Sequence, residues 1–281
     1  TGLWAGLLRL GWALPELPLA SNFVAKHGAL MLSSFLGTLI ALERAAALNR
    51  RWAYIGPALS GLGGVAMLAG LPDGLSIGLL LLGSTGLLAI FAFILKQHRS
   101  LPYILMAIGA GLCFAGNLLW WLGRPIFQAA PWWVAFLVLT VLGERLELGR
   151  VLVQRRARLY SVLAAAGLIG LGLLVSLLQF ELGVRLCGLG FLGVGAWLLR
   201  FDIARHTIRL HGLPRYMAAC LLPGYVWLSL SGLLWLILAP LFVAGAVNVT
   251  VRPSLKAVTG MLTLVRTTSL LPLAVVARTP P

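Results

Sequence analysis

Hydrophobic stretches of about 20 residues, separated by short polar segments, run along almost the whole chain. A helix of that length crosses a hydrocarbon core of about 30 Å. The pattern predicts eight complete spans, near residues 27–48, 52–70, 75–95, 101–122, 129–149, 159–179, 183–204 and 215–238. The connections are short and carry Pro, Gly, Asp or Arg, as in GLPDG and KQHRSLP, so no soluble domain is hidden among them.

The two ends of the chain depart from this pattern. The chain starts at Thr1 with TGLWAGLLRLGW, which reads like the second half of a helix and predicts an incomplete N-terminus. Residues 240–281 form an atypical basic tail, whose apolar runs are interrupted by Arg252, Lys256 and Arg266. Because a charge in the middle of a span is costly without a partner, we expect this tail to be a degenerate last span. Divergence, a sequence error and a shifted reading frame are the explanations that the sequence leaves open for this tail.

Composition agrees with the pattern of spans. Hydrophobic residues make up 60% of the chain and charged residues only 10%, and the mean hydropathy is +0.98. These values lie far outside the range of soluble proteins. We therefore predict an all-α fold, a polytopic transmembrane helix bundle of about nine or ten spans that occupies residues 1–239.

Basic residues are unevenly divided between the two sides of the predicted bundle. Fourteen of them lie in four alternate loops: Arg44, Arg50 and Arg51; Lys96 and Arg99; Arg145, Arg150, Arg155, Arg156 and Arg158; Arg200, Arg205, Arg209 and Arg215. The intervening loops contain only Lys26, Arg124 and Arg185. The positive-inside rule places the basic loops in the cytoplasm, where they contact anionic lipid headgroups. The formal charge of +15 therefore indicates the lipid bilayer as the partner and no nucleic acid.

A ten-residue pattern occurs twice. FLGTLIALER at residues 35–44 matches FLVLTVLGER at residues 136–145 at Phe, Leu, Glu and Arg, with a displacement of 101 residues. Four spans separate the copies, so both helices point the same way. This spacing fits a parallel four-helix repeat with units near 27–122 and 128–238. Four matches within a leucine-rich helix also arise by chance, and that alternative stays open.

Several polar residues have a structural interpretation. Glu43 and Arg44 end one copy of the pattern and Glu144 and Arg145 end the other, so we expect ion pairs at these helix ends. Asn117 is an uncommon residue for a membrane helix. A third boundary cluster comprises Arg200, Asp202 and Arg205, which we expect to form another ion-paired helix end.

One helix face offers candidate metal chemistry. His27, Met31, Ser34 and Thr38 follow spacings of four, three and four, so they share a face. Such a polar stripe turns into the bundle, where it forms a packing seam between helices. The alternative takes His27 and Met31 as ligands of haem iron or copper, because imidazole and thioether suit those metals.

Few other residues lie at a suitable depth for that site. Cys187 begins its span at a depth similar to that of His27, and is a further candidate cofactor-binding residue. His98, His206 and His211 lie in basic loops at the wrong depth and are interpreted as solvated residues. No Walker loop, dinucleotide fingerprint, zincin motif or GxSxG is present, so the sequence favours a protein that is not an enzyme.

The patterns HGALMLSSFLGTLIALERAAAL…RRWAYIGP, WWVAFLVLTVLGERLELGR and LLRFDIAR resemble a family of uncharacterised bacterial multi-pass membrane proteins. The resemblance covers residues 3 to about 238. That family is more distantly similar to NnrS, a haem- and copper-associated membrane protein linked to nitric oxide stress. The resemblance implies a location in the bacterial inner membrane and a histidine followed by a methionine early in the chain, which His27 and Met31 match. NnrS-like proteins also have histidines in late helices, whereas no histidine follows His211 here.

Three functional hypotheses follow. The first is an NnrS-like membrane protein that binds haem or copper at His27 and Met31 and acts in nitrosative stress or respiration. The second is a small-solute transporter built on the four-helix repeat. The third is a structural or assembly subunit of the membrane.

Overall fold

The computed structural model describes residues 26–149 and 156–251, with the side chains described as far as Ala239. In chain order its helices are α1 (Lys26–Leu48), α2 (Ile55–Leu68), α3 (Asp73–Gln97), α4 (Leu101–Trp121), α5 (Ile126–Leu148), α6 (Arg156–Ser176), α7 (Phe180–Phe201), the short α8 (Ala204–Thr207) and α9 (Leu213–Val251). The described part of the chain contains no strand, which confirms the all-α fold. The predicted partial first span and the basic tail lie outside the described residues.

Seven helices in the described ranges are long and apolar enough to cross a membrane. They are α1, α3, α4, α5, α6, α7 and the first part of α9, Leu213–Ala239. Each corresponds to one of the spans predicted from hydropathy, because span length is set by the thickness of the hydrocarbon core. The chain is therefore a multi-pass helical membrane protein.

The second predicted span, residues 52–70, differs from the others. It is divided into a 3₁₀ turn, Arg51–Tyr54, and the 14-residue helix α2. The helix ends before Gly70, whose φ of 72° is a left-handed conformation that glycine adopts without strain. At about 1.5 Å per α-helical and 2.0 Å per 3₁₀ residue, turn and helix together rise about 29 Å. This pair of elements is therefore close to the length of a span.

Glycines allow neighbouring helices to approach closely. In the hairpin of α2 and α3, a Cβ atom on Gly86 would lie 2.5 Å from the Cα atom of Gly56. In the hairpin of α6 and α7, a Cβ on Gly172 would lie 2.6 Å from the backbone nitrogen of Cys187. Small residues drive helix association in membranes because lipid supplies no hydrophobic force between helices. The two hairpins occupy corresponding positions in the two proposed repeat units.

The core between the helices comprises separate apolar clusters. One contains Trp120 and Trp133, whose rings meet edge to face with centroids 5.7 Å apart. Another includes buried residues of α5, α6, α7 and α9, among them Phe191. Helix α5 contributes to both clusters and is the most buried of the spans. It therefore joins the helices before it to those after it.

Candidate functional site

A buried polar junction lies where α1, α3, α4 and α5 meet. The Oδ1 atom of Asn117 accepts hydrogen bonds from Ser33 Oγ at 2.6 Å and from Trp133 Nε1 at 3.0 Å. Its Nδ2 atom donates to the carbonyl oxygen of Leu80 at 3.2 Å. Both lone pairs of the amide oxygen are thus used, which makes burial of this polar residue tolerable. Asn117 consequently acts as a hydrogen-bonded connection among four helices.

The first part of α1 is a π-helix, Ala29–Leu36. Within it Ser33 and Ser34 are both buried, although they are consecutive. Ser33 donates to Asn117, and Ser34 Oγ donates to the carbonyl oxygen of Ser60 on α2 at 3.4 Å. Two consecutive serines can therefore bond to different neighbouring helices, which explains how this irregular segment is held inside the bundle.

The polar stripe on α1 faces α2 in part. A Cβ on Gly61 would lie 3.7 Å from the Cγ2 atom of Thr38, and one on Gly64 would collide with the Ser34 side chain. These contacts are those of a packing seam. His27 and Met31 are half-buried, and the Nδ1 atom of His27 is buried without a hydrogen-bond partner.

The structure does not bring the candidate cofactor ligands together. Cys187 is fully buried, and its Sγ atom donates to the carbonyl oxygen of Ile169 on α6 at 3.6 Å. The π-helix that contains Met31 packs instead against α2 and α5. Among the residues that the structure describes, no three His, Cys, Asp or Glu side chains are grouped as a metal site requires. His27 and Met31 thus remain two donors without a described third.

Ion pairs join helix ends at the basic end of the bundle. Arg44 of α1 pairs with Glu144 of α5 and lies 3.8 Å from the exposed Glu43. Tyr103 donates a hydrogen bond of 2.5 Å to Glu147. Arg145 forms no salt bridge with a described residue, so the expected pair within the second copy of the pattern is replaced by a pair between the copies. The pair forms between the copies because helix packing places Glu144 beside Arg44.

An arginine-lined cavity lies at this same end. It has a volume of about 400 Å³ and lies where α6 begins and α7 ends. Its lining residues are Arg158, Arg200, Phe201, Asp202, Arg205, His206 and Arg209. None of its four arginines forms a salt bridge with a described residue. The cavity is therefore strongly cationic.

Aromatic contacts and backbone hydrogen bonds position three of the four arginines. The guanidinium groups of Arg158 and Arg200 lie 4.9 and 5.4 Å from the ring centroid of Phe201, within range of a cation–π interaction. Arg205 Nη1 donates to the Arg200 carbonyl oxygen at 2.8 Å. Trp197 Nε1 donates to the Arg158 carbonyl oxygen at 2.8 Å, which attaches the start of α6 to α7.

Asp202 is the one acidic residue that lines this cavity, and it is engaged elsewhere. It is 4% exposed. Its Oδ2 atom accepts hydrogen bonds from Tyr225 Oη at 2.9 Å and from the Ala204 backbone nitrogen at 3.2 Å. The expected ion-paired helix end of Arg200, Asp202 and Arg205 is therefore absent from the described structure. A buried tyrosine on α9 takes the carboxylate instead, and sequence spacing does not reveal this partner.

The sequence alone predicts that the lining arginines set topology and that His206 is a solvated loop residue. The signal that indicates the cavity is the pairing of two basic segments, residues 156–158 and 200–209, at the same end of two consecutive helices. An antiparallel hairpin of α6 and α7 necessarily brings these segments together. Unless the two segments are considered together, these arginines cannot be distinguished from those of any other basic loop.

A second cavity lies at the end of the bundle where α3 begins and α4 ends. Its volume is about 480 Å³, and its lining includes Trp120, Trp121 and Arg124. Tryptophan is typical of the boundary between membrane and water. This cavity is more open and contains a single arginine, so it offers much less charge to a ligand.

The described residues thus form a multi-pass membrane helix bundle with a buried amide junction and a cationic cavity at one end. The chain belongs to the family described as Domain of unknown function (DUF8744), whose family model matches residues 1–261. No curated protein matches the chain, and neither does any solved structure.

Proposed function

We propose that the protein is a transporter of small anionic solutes in the bacterial cytoplasmic membrane, with its basic loops in the cytoplasm. The arginine-lined cavity carries this proposal, because four arginines without an acidic partner among the described residues favour an anion. A volume of about 400 Å³ falls within the range of small-molecule sites. Of the three hypotheses from the sequence, this is the small-solute transporter.

The charge distribution supports both the orientation and the ligand sign. The chain contains 22 basic and 7 acidic residues, so its own carboxylates cannot neutralise the basic end. Because positive loops are retained in the cytoplasm during insertion, the charge bias favours a cytoplasmic location for the cavity. An anion in the cytoplasm would therefore meet the arginines directly.

The orientation is tested by labelling. In a chain whose three native cysteines are replaced, single cysteines are introduced as Gln97→Cys and Leu122→Cys and exposed to a membrane-impermeant maleimide. Labelling of the Leu122 variant in intact cells, and of the Gln97 variant only after lysis, is expected. The reverse pattern would place the cavity outside and remove the cytoplasmic proposal.

Transport is tested in proteoliposomes. Currents are recorded on solid-supported membranes after concentration jumps of phosphate, sulfate and small organic acids. We expect a saturable current for at least one anion, reduced by Arg209→Gln and retained by Arg215→Gln. Both arginines are exposed, but only Arg209 lines the cavity. Currents equal to those of protein-free liposomes for every anion would contradict a transport function.

The NnrS-like hypothesis has less support. Its two proposed donors, His27 and Met31, lie one turn apart on α1, and the unpartnered Nδ1 of His27 is compatible with a ligand. The described residues do not complete a haem or copper site, however, because no third donor joins them. An absorption spectrum and metal analysis of wild type and His27→Ala test this hypothesis. A Soret band or stoichiometric copper that disappears in the variant would support it, and a colourless, metal-free wild type would reject it.

A further inference from the structure

We infer that the arginine-lined cavity is a site for a phosphate group, carried by a lipid headgroup or by a small soluble compound. This assignment deepens the proposed function and rests on it for the role of the site. The guanidinium group is planar and presents its donors as a fork that matches two oxygen atoms of a phosphate. Four such groups around one cavity favour a ligand with several anionic oxygens.

Three of the four cations are held in position before a ligand arrives. Arg158 and Arg200 both lie against the ring of Phe201, at 4.9 and 5.4 Å from its centroid. Two guanidinium groups on one ring repel each other, and a dianion between them would relieve that repulsion. Arg205 uses one of its donors on the Arg200 carbonyl oxygen, so its position is also restrained. Less conformational entropy is then lost on binding.

The described residues supply only part of the counter-charge of the cavity. The chain has seven acidic residues, one of which, Glu16, lies outside the described ranges. Five others are engaged away from the cavity: Glu43 and Glu144 with Arg44, Asp73 with Lys26, Glu147 with Tyr103, and Glu181 with Arg185. The last, Asp202, is bonded to Tyr225 and to the Ala204 nitrogen. Four lining arginines against one lining carboxylate leave an excess of positive charge, which is available to a bound phosphate.

The location is compatible with two sources of phosphate. The cavity lies where α6 begins and α7 ends, at a boundary of the spans, which is the depth of lipid headgroups. Its four lining arginines are exposed, so a soluble phosphate compound can also reach them. A phosphomonoester carries nearly two negative charges at neutral pH, so it matches the charge of the cavity better than a carboxylate does.

The experiment uses the full chain in nanodiscs. In the first arm the nanodiscs contain phosphatidylcholine alone, and inorganic phosphate is titrated at constant ionic strength, with chloride as the control anion. In the second arm phosphatidic acid is included in the bilayer, and its binding is counted by native mass spectrometry. Saturable binding in the first arm identifies a soluble source, and retention of phosphatidic acid in the second identifies a lipid. Absence of saturable binding in both arms would overturn the assignment.

Variants separate a built site from general attraction. Arg209→Gln removes one lining charge and is expected to weaken phosphate binding about tenfold or more, since a charge-assisted hydrogen bond is lost. Arg215→Gln removes one charge from the same end of the protein outside the cavity lining and is expected to change binding less than twofold. Equal losses in both variants would show diffuse attraction and overturn the assignment.

A second substitution keeps the test valid if charge removal impairs folding. Arg158→Lys retains the charge but loses the planar fork and its stacking on Phe201. It is expected to weaken binding severalfold while the protein elutes as the wild type does. Unchanged affinity in this variant would contradict recognition by a guanidinium fork.

The two proposals can fail separately. Phosphate binding without current in the transport assay would reject transport alone. Current for an anion without phosphate binding would reject the phosphate assignment alone.

Discussion

Arg44 of α1 forms an ion pair with Glu144 of α5, and the two residues come from the two copies of the sequence pattern that ends in Glu-Arg. Each copy contributes one charge, so the pair connects the two proposed repeat units. The Arg44 side chain is 13% exposed and the Glu144 side chain 27%. The contact is therefore more shielded from water than an ordinary surface pair.

Removing Arg44 or Glu144 is expected to destabilise the bundle. Arg44→Ala or Glu144→Ala should lower the free energy of unfolding by about 1 to 2 kcal/mol, between the values for exposed and buried pairs. Unfolding in mixed micelles measures the effect. Glu43→Ala is the control, because Glu43 is largely exposed and lies 3.8 Å from Arg44, and it should change the free energy by less than about 0.5 kcal/mol. A double-mutant cycle without coupling between Arg44 and Glu144 would show that the pair contributes nothing.

The amide of Asn117 is expected to be the most sensitive polar group in the membrane interior. Asn117→Leu leaves the Ser33 hydroxyl and Trp133 Nε1 without the acceptor that they share, whereas the Leu80 carbonyl oxygen keeps its bond within α3. The cost should be about 2 to 3 kcal/mol. Ser33→Ala should cost less, because Asn117 keeps its other two bonds. A stability equal to the wild type in Asn117→Leu would contradict the structural role of the junction.

Close packing of α2 on α3 makes Gly86 intolerant of a side chain. Gly86→Ala places a methyl group 2.5 Å from the Cα atom of Gly56, and should lower the free energy of unfolding by about 1 to 3 kcal/mol. Gly111→Ala is the matched control, because nothing lies within 4 Å of a Cβ at that position. That substitution should be neutral or slightly stabilising, since alanine favours the helix. Equal unfolding curves for the two variants would argue against the close contact.

Tyr225 is expected to affect both stability and ligand binding. Tyr225→Phe removes the hydrogen bond to Asp202, which is worth about 1.5 to 3 kcal/mol for a charged acceptor. The released carboxylate is then free to pair with a lining arginine and to oppose an anion. Phosphate affinity in nanodiscs should therefore fall in Tyr225→Phe. Tyr216→Phe is the control, since Tyr216 is 69% exposed, and both variants are compared by unfolding and by phosphate titration.

Much of the membrane architecture was predictable from the sequence, and particular elements show why. The spans of α1, α3 and α4 begin and end within a few residues of the apolar stretches, because hydropathy is a local property. The division of the second span into a 3₁₀ turn and α2 was not predicted, since the apolar residues continue through the turn. Likewise the pattern of apolar residues does not indicate the π-helix at Ala29–Leu36.

The candidate sites, in contrast, were poorly predictable from the sequence. Spacing along one helix placed His27 and Met31 on one face, but it could not supply a third donor from another helix. Asp202 was recognised as a boundary residue, whereas its partner Tyr225 lies 23 residues away on α9. Contacts between helices depend on the rotation of each helix about its axis and on which helices are its neighbours. Neither can be predicted from a single sequence.

The sequence by itself determined that the chain is a bundle of membrane helices with one strongly basic end, because span length and charge bias are read along one dimension. Only the tertiary structure decided that Arg44 pairs with Glu144, that Asn117 connects four helices, and that four arginines surround a cavity. The physical reason is that each of these features requires side chains from different helices to lie within a few ångströms of one another. Helix packing sets those distances, and in a membrane it is governed by small residues and buried hydrogen bonds.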